Sequence, residues 1–406
     1  MRAAKPGLRH ILAALSRDKR GPALLVFEIA LTLAIVCNLL FIVELQQRES
    51  GRQSGIDEAA IASFHNELLS VQDDQDARVR ADLKVLRSMP GVVDAFASNA
   101  IPLGDGYMSG VGVGLSGELT SAVVTSAYYE VDEHALKTFN LHLVEGRWFS
   151  ADEIEEAHAG RRGAPVAVIT SSLAKDLFAE GSAVGKSVYL NQQRSRVIGV
   201  VQRLQAWVQA EDAGIERSVM VPRLVGSPEY LYILRLSPRS AESVLSDAQN
   251  RLFDLDRRRV IDRVETFATT RASAYRANFI LSVIVGCIGV LLLFVTAVGL
   301  VGLTSYWVTQ RGRQIGIRRA LGARRSDILA LFHAENLIVT CMGAVLGTAL
   351  ALGANIALVS LFETARLPLW FVVATGFAIL CLGQLSVIWP ALRAANIAPA
   401  IAAKAP

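Results

Sequence analysis

Gly185-Lys186-Ser187 is the tripeptide in this chain best suited to holding a phosphate, because glycine lets backbone N–H groups close around an anion and lysine supplies the charge. A Gly-x4-Gly-Lys-Ser loop also needs glycine five positions earlier, where Glu180 stands. Gly110-Val111-Gly112-Val113-Gly114 has glycines enough for a dinucleotide turn, but no helical pattern follows it, and alternation with valine predicts a strand. His65, His134, His142 and His158 lack metal-ligand spacing, and Ser116 is not flanked as in a Gly-x-Ser-x-Gly elbow. No catalytic residues, no metal ligands and no cofactor are expected.

The densest functional stretch runs from Gln310 to Arg325, QRGRQIGIRRALGARR, with arginines at 311, 313, 318, 319, 324 and 325. Ile315, Ile317, Ala320 and Leu321 give it a small apolar stripe, which fits docking into a partner's cleft while the arginines sit at the rim or at lipid headgroups. On charge alone the arginines need only fix membrane topology. Gly322 suits a helix C-cap and Ser326 the N-cap of the following helix.

The elements that must position this loop are set by hydropathy. A spanning helix needs roughly 20 mostly apolar residues, and four segments qualify: 24–43, 279–308, 335–361 and 369–389. The first is too long for a signal-peptide core and no small-residue cleavage site follows it, so it reads as a retained span. Lys and Arg concentrate in segment 1–23, in the loop 309–334 and in the tail 390–406, which places both termini and the arginine loop in the cytoplasm. The segment 44–278 then lies outside. Over residues 46–278 there are 26 Lys and Arg against 31 Asp and Glu, so the excess of 41 basic over 37 acidic residues in the whole chain is a topology signal and no nucleic acid is expected as a partner. Cys37, Cys287, Cys341 and Cys381 all fall inside spans, which leaves the outer segment without a disulfide framework.

Within the outer segment, Ile56, Ala60, Phe64, Leu68 and Val71 recur at helical spacing, predicting a helix over 46–89 that continues out of the first span and ends at Pro90-Gly91. Strands are predicted at 92–97, 111–115, 122–131, 165–170, 188–190, 196–201, 218–221 and 230–236, with helices at 134–139, 172–178 and 241–254. A second stalk helix is predicted over 257–279. The fold class is a membrane α-helical protein with four transmembrane helices and an α+β extracytoplasmic domain inserted between helices 1 and 2.

Gly343 and Gly347 form a Gly-x-x-x-Gly spacing that allows close helix packing, within the bundle or across a dimer. Glu28 is an acid inside the first span; near the cytoplasmic end, snorkelling or a bundle partner suits it better than a proton pathway. Leu8, Ile11, Leu12 and Leu15, set among basic residues, make an amphipathic turn suited to lying on membrane lipids or an ordinary basic flank.

At these residues the chain resembles a known family. The stretch Arg313 to Ala323, then Ile328, Leu331, Phe332 and Glu335, with Trp389-Pro390-Ala391-Leu392-Arg393 near the end, resembles FtsX-type permease domains. VEGRWF (144–149), VAVITSSLAKDLF (166–178), VGKSVYL (184–190) and VIGVV (197–201) resemble the periplasmic core of MacB-type permeases. The resemblance implies an inner-membrane permease of an ABC transporter, a homodimer or paired with a sibling permease, that binds a cytoplasmic ATPase subunit and passes its motion to the periplasmic domain. The ATPase-coupling residues would be Arg313, Gln314, Ile315, Ile317, Arg318, Arg319, Ala320, Leu321 and Gly322. The chain departs from the family at Gln314, where glutamate is usual, which removes a charge contact to the ATPase. ATP would bind the partner subunit. The implied role is export of a periplasmic substrate into an adaptor and outer-membrane duct; the alternatives are an FtsX-like regulator of a cell-wall hydrolase and a lipoprotein-release permease.

Overall fold

The computed structural model describes residues 20–69, 75–104, 110–118, 123–156, 164–179, 181–206, 214–237, 241–310, 315–317, 323–362 and 365–395. The basic N-terminal turn, Arg313, Gln314, the run 318–322 and the last eleven residues lie outside them. The chain divides into two compact units, one formed by 1–50 with 278–406 and the other by 51–277.

After helix α1 (Arg20–Ser50) the second unit opens with strand β1 (Ile61–Leu68), helix α2 (Gln75–Ser88) and β2 (Val92–Ser98). It closes with β10 (Glu229–Leu236), α5 (Ala241–Leu255) and β11 (Arg259–Thr266). These four strands form one antiparallel sheet in the order β11-β1-β10-β2. With a helix in each crossover, this is the split β-α-β pattern of ferredoxin-like folds. One face carries Phe64, Leu68, Tyr232 and Leu234 against Val79, Leu83 and Leu86 of α2 and Val244, Ala248 and Leu252 of α5. The other presents Ile61, Phe96, Leu231 and Ile233 to a second core.

The connection between β2 and β10 is itself a folded body. It holds β3 (Gly110–Gly114), β4 (Val123–Val131), α3 (Ala135–Phe139), β5 (Leu143–Gly146), β6 (Val166–Thr170), α4 (Ser171–Leu177), β7 (Ser187–Leu190), β8 (Gln193–Val201) and β9 (Ser218–Pro222). The strand order is β5-β8-β6-β9-β4-β3-β7, and an added β7–β8 pairing closes the last six into a small barrel. Val113, Ala167, Ile169, Val188, Leu190, Val197 and Val219 fill its interior. Two motif glycines are explained where β5 meets β8: a Cβ on Gly146 would lie 2.2 Å from the Ile198 carbonyl oxygen, and one on Gly199 2.3 Å from that of Arg147. Gly110–Gly114 is a strand, and Gly185 occupies a turn at φ +86° directly before β7.

Two sequence expectations are corrected here. The segment 46–89 is not one helix: α1 stops at Ser50, and the Phe64 and Leu68 stripe belongs to β1. The segment 257–279 is not a stalk helix either, because β11 occupies 259–266 before the short helix α6 (Phe267–Ala274). Both strands are covered on at least one face, so the apolar residues fall at spacings that imitate a helix.

The bundle unit comprises α1, α7 (Arg276–Gln310), α8 (Arg325–Phe362) and α9 (Leu369–Ala395). At 1.5 Å per residue the 38 residues of α8 extend about 57 Å, well beyond the ~30 Å hydrocarbon core. Gly343 and Gly347 pack α8 against α1: an added Cβ would lie 2.7 Å from Ile29 Cγ2 at the first and 2.8 Å from the Ala30 carbonyl oxygen at the second. Asn38 Nδ2 donates to the Ala351 carbonyl at 3.1 Å on the same seam, and Asn336 Nδ2 donates to the Gly383 carbonyl of α9 at 2.9 Å. Helix α7 meets α1 differently. Its contacts are Trp307 with Gly21, Gly299 with the Glu28 carboxylate, Thr296 with Thr32 at 2.7 Å and Ser282 with Gln46, in constant antiparallel register.

Candidate functional site

The loop between α7 and α8 is anchored from within. Ile315, 5% exposed, joins Val308 of α7, Ile328 and Phe332 of α8, and Val387 and Ala391 of α9 in one apolar cluster. Ile317, two residues on, is 54% exposed. The two isoleucines expected to dock together therefore differ: one fixes the loop to the ends of three helices, and the other is presented outward. The remaining coupling candidates, Arg313, Gln314, Arg318, Arg319, Ala320, Leu321 and Gly322, lie outside the described residues. Helix α8 begins at Arg325, so Ser326 is inside it and not its N-cap; the carboxylate of Asp327 accepts the Arg324 backbone N–H at 2.9 Å. A negative group here also favours the positive end of the helix dipole.

The second unit contains a clasp between the segments that lead from α1 and toward α7. β1 and β11 are hydrogen-bonded neighbours, and the first paired residue of β1 faces the last of β11, Ala62 opposite Thr266. Beside this pairing, Arg271 of α6 donates to Glu58 Oε1 at 2.6 Å and to the Arg52 backbone carbonyl. Ser54 donates to the same Glu58 oxygen at 2.6 Å, and Arg235 of β10 pairs with Asp57. The inbound linker and the outbound helix are thus tied by charge-assisted bonds as well as by a strand ladder. Sequence reasoning missed this clasp, although the β-branched residues Val260, Ile261 and Val264 of β11 were a usable strand signal.

A polar cluster joins the sheet to the inserted body. Arg87 Nη2 of α2 donates to Asp132 Oδ2 at 2.7 Å, Arg87 Nε donates to the Ala95 carbonyl at 2.7 Å, and His134 Nδ1 lies 2.9 Å from Asp94 Oδ1. Burial pushes the Asp132 carboxyl up to about 6, against the opposing pull of Arg87. Among the described residues no group of histidine, cysteine and acidic side chains could hold a metal ion.

Comparison with known proteins agrees with this arrangement. Residues 30–260 match the family model of the MacB-like periplasmic core domain, and residues 277–399 that of the FtsX-like permease C-terminal. The chain is 31% identical over 272 residues to the macrolide export ATP-binding/permease protein MacB of Bdellovibrio bacteriovorus, covering 63% of this chain and 40% of that protein. It is 30% identical over 280 residues to the pyoverdine export ATP-binding/permease protein PvdT of Pseudomonas syringae, covering 67% and 41%. Against the uncharacterized ABC transporter permease YknZ of Bacillus subtilis it is 25% identical over 324 residues, covering 78% and 77%. The chain thus spans about two fifths of the length of the first two relatives.

Proposed function

The chain belongs to the permease family that joins a MacB-like periplasmic core domain to an FtsX-like C-terminal domain, and from that premise we propose that it is the membrane subunit of an ABC-type exporter. It is a multi-pass inner-membrane protein whose unit 51–277 is periplasmic. Members of this family pair with a cytoplasmic ABC ATPase. In this reading the ATPase docks on the loop around Ile317, with Leu321 and the arginines contributing, and Ile315 passes its movement to α7, α8 and α9. A second copy or a sibling permease completes the assembly, and an adaptor with an outer-membrane duct receives the cargo. This chain contributes leverage and no chemical step.

The observation that carries the reading is the clasp. Because β1 pairs with β11 and Arg271 bonds Glu58, a displacement brought along α1 or α7 reaches the sheet of the periplasmic domain as a single movement. Ile317→Asp and Leu321→Asp should abolish stimulation of the partner ATPase while leaving the protein inserted. Arg271→Ala and Glu58→Ala should leave that stimulation intact but lower export measured in proteoliposomes. Unchanged stimulation in both loop variants would mean that the ATPase docks elsewhere.

A further inference from the structure

A cavity of about 220 Å3 lies on the face of the four-stranded sheet opposite α2 and α5. Ser63 and His65 of β1, Leu231 of β10, Arg263 and Glu265 of β11 and Leu103 line it. Its volume is several times the ~30 Å3 share of one water but below the ~300 Å3 at which drug-sized pockets begin. The occupant is therefore small.

Its polar groups are not consumed by the fold. Ser63 is 2% exposed, yet among the described residues no hydrogen bond engages its hydroxyl or the His65 ring. Burial, reinforced by Arg263 and opposed by Asp262 and Glu265, holds the His65 imidazole below its ordinary range. The Glu265 carboxylate accepts one bond, from Thr270 Oγ1 at 2.9 Å, which leaves it capacity for another donor. Arg263 is an exposed side chain and forms no ion pair within 4.0 Å among the described residues.

The backbone around the cavity is strained on two sides. Arg263 has φ +45° and Leu103 φ +63°, left-handed values that strain non-glycine residues. Arg263 sits in a bulge, where the register between β1 and β11 shifts between Ser63 and His65. Side chains two apart on a strand share a face, so Arg263 and Glu265 both reach the rim of this cavity, beside the apolar Leu103 and Leu231.

We propose that this cavity binds a small zwitterion, of the size and polarity of a neutral α-amino acid, with its carboxylate at Arg263, its ammonium at Glu265 and its short apolar part on Leu103 and Leu231. One cationic and one anionic side chain at the rim, Arg263 and Glu265, match the two charges of such a ligand. A simple carboxylate would leave Glu265 unmatched, and a simple amine would leave Arg263 unmatched. The site stands on β11, the strand that continues through α6 into α7, and it is independent of the export reading above.

The test is calorimetric titration of the full chain in nanodiscs with glycine, L-alanine, L-serine and L-valine, and with propionate and ethylamine, each of which lacks one charge. At least one of the amino acids binds saturably, and the single-charge probes bind about tenfold or more weaker. Arg263→Gln and Glu265→Gln each weaken the amino acid by about tenfold or more. Arg263→Gly separates binding from folding, because glycine relieves the left-handed strain: its thermal midpoint is kept or raised while binding is lost. Absence of saturable binding by all four amino acids, equal binding of propionate or ethylamine, or undiminished binding in Arg263→Gly overturns the proposal.

Discussion

Arg259 and Asp82 form a two-pronged ion pair in the interior of the periplasmic unit, at 2.6 and 3.2 Å, with side chains only 1% and 2% exposed. Tyr232 donates its hydroxyl to the same carboxylate at 2.6 Å and meets the Tyr230 hydroxyl at 3.1 Å, and burial raises both phenols, Tyr230 to about 12. The pair fastens α2 to the start of β11. Removing one partner strands the other charge away from water, so Asp82→Ala should cost about 3–5 kcal/mol of unfolding free energy. Replacing both residues by methionine should recover most of that loss. Denaturant unfolding followed by circular dichroism checks both.

Close packing of α8 on α1 rests on two glycines, and a third on the same helix provides the control. Gly347→Val places methyl groups against the Ala30 carbonyl and Leu33, and should destabilise the bundle by about 1–3 kcal/mol. Gly353→Val, where an added Cβ meets nothing within 4 Å, should shift the detergent melting temperature little.

The asymmetry between the loop isoleucines gives a stability contrast. Ile315→Ala leaves a void among Val308, Ile328, Phe332 and Val387 and should cost about 2 kcal/mol or more. Ile317→Ala, at an exposed position, should fall within about 0.5 kcal/mol of the parent. The two thermal midpoints, measured side by side, decide this.

Asp132 sets a pH dependence whose sign follows from its raised pKa. The folded value of about 6 lies above the ordinary 3.8, so the stabilisation is fully present below about pH 4 and is lost as pH rises through about 6. Over that window the periplasmic domain should weaken by up to about 3 kcal/mol, since each tenfold change in proton affinity corresponds to ~1.4 kcal/mol. Glu133, which raises the value, and Arg87 and His134, which lower it, are the charged groups around the carboxyl. Asp132→Asn should flatten the profile. Trp148, whose indole donates to the Asp132 carbonyl at 3.3 Å, supplies a fluorescence reporter beside the site.

Much of the architecture was legible because its signals are local. The four apolar runs, and the strands around Val92, Val123, Val166 and Ser218, are bounded by glycine, proline or charge and carry β-branched residues. What escaped depends on partners distant in sequence. Arg259 looks like a solvated charge on a helix until Asp82 and Tyr232 enclose it, and β1 passes for a helix because Phe64 and Leu68, four apart on one covered face of the strand, continue the spacing begun by Ile56 and Ala60 before it. Ile315 and Ile317 flank one glycine in almost identical surroundings, so only the ends of α7, α8 and α9 distinguish an anchor from an outward-facing side chain. The Gly343 and Gly347 spacing announced a tight seam but not that α1 fills it.

The barrel interrupts an otherwise simple six-element chain at a place where the interruption costs little. Ser98, the last residue of β2, sits opposite Leu231 near the start of β10, so the excursion leaves and returns at adjacent points. The excursion is nonetheless tied back to the clasp: the Ser54 carbonyl accepts the Gln205 N–H at 2.8 Å and the Phe139 carbonyl accepts that of Asp57 at 3.1 Å, so the inserted body bears on the same linker that Arg271 holds.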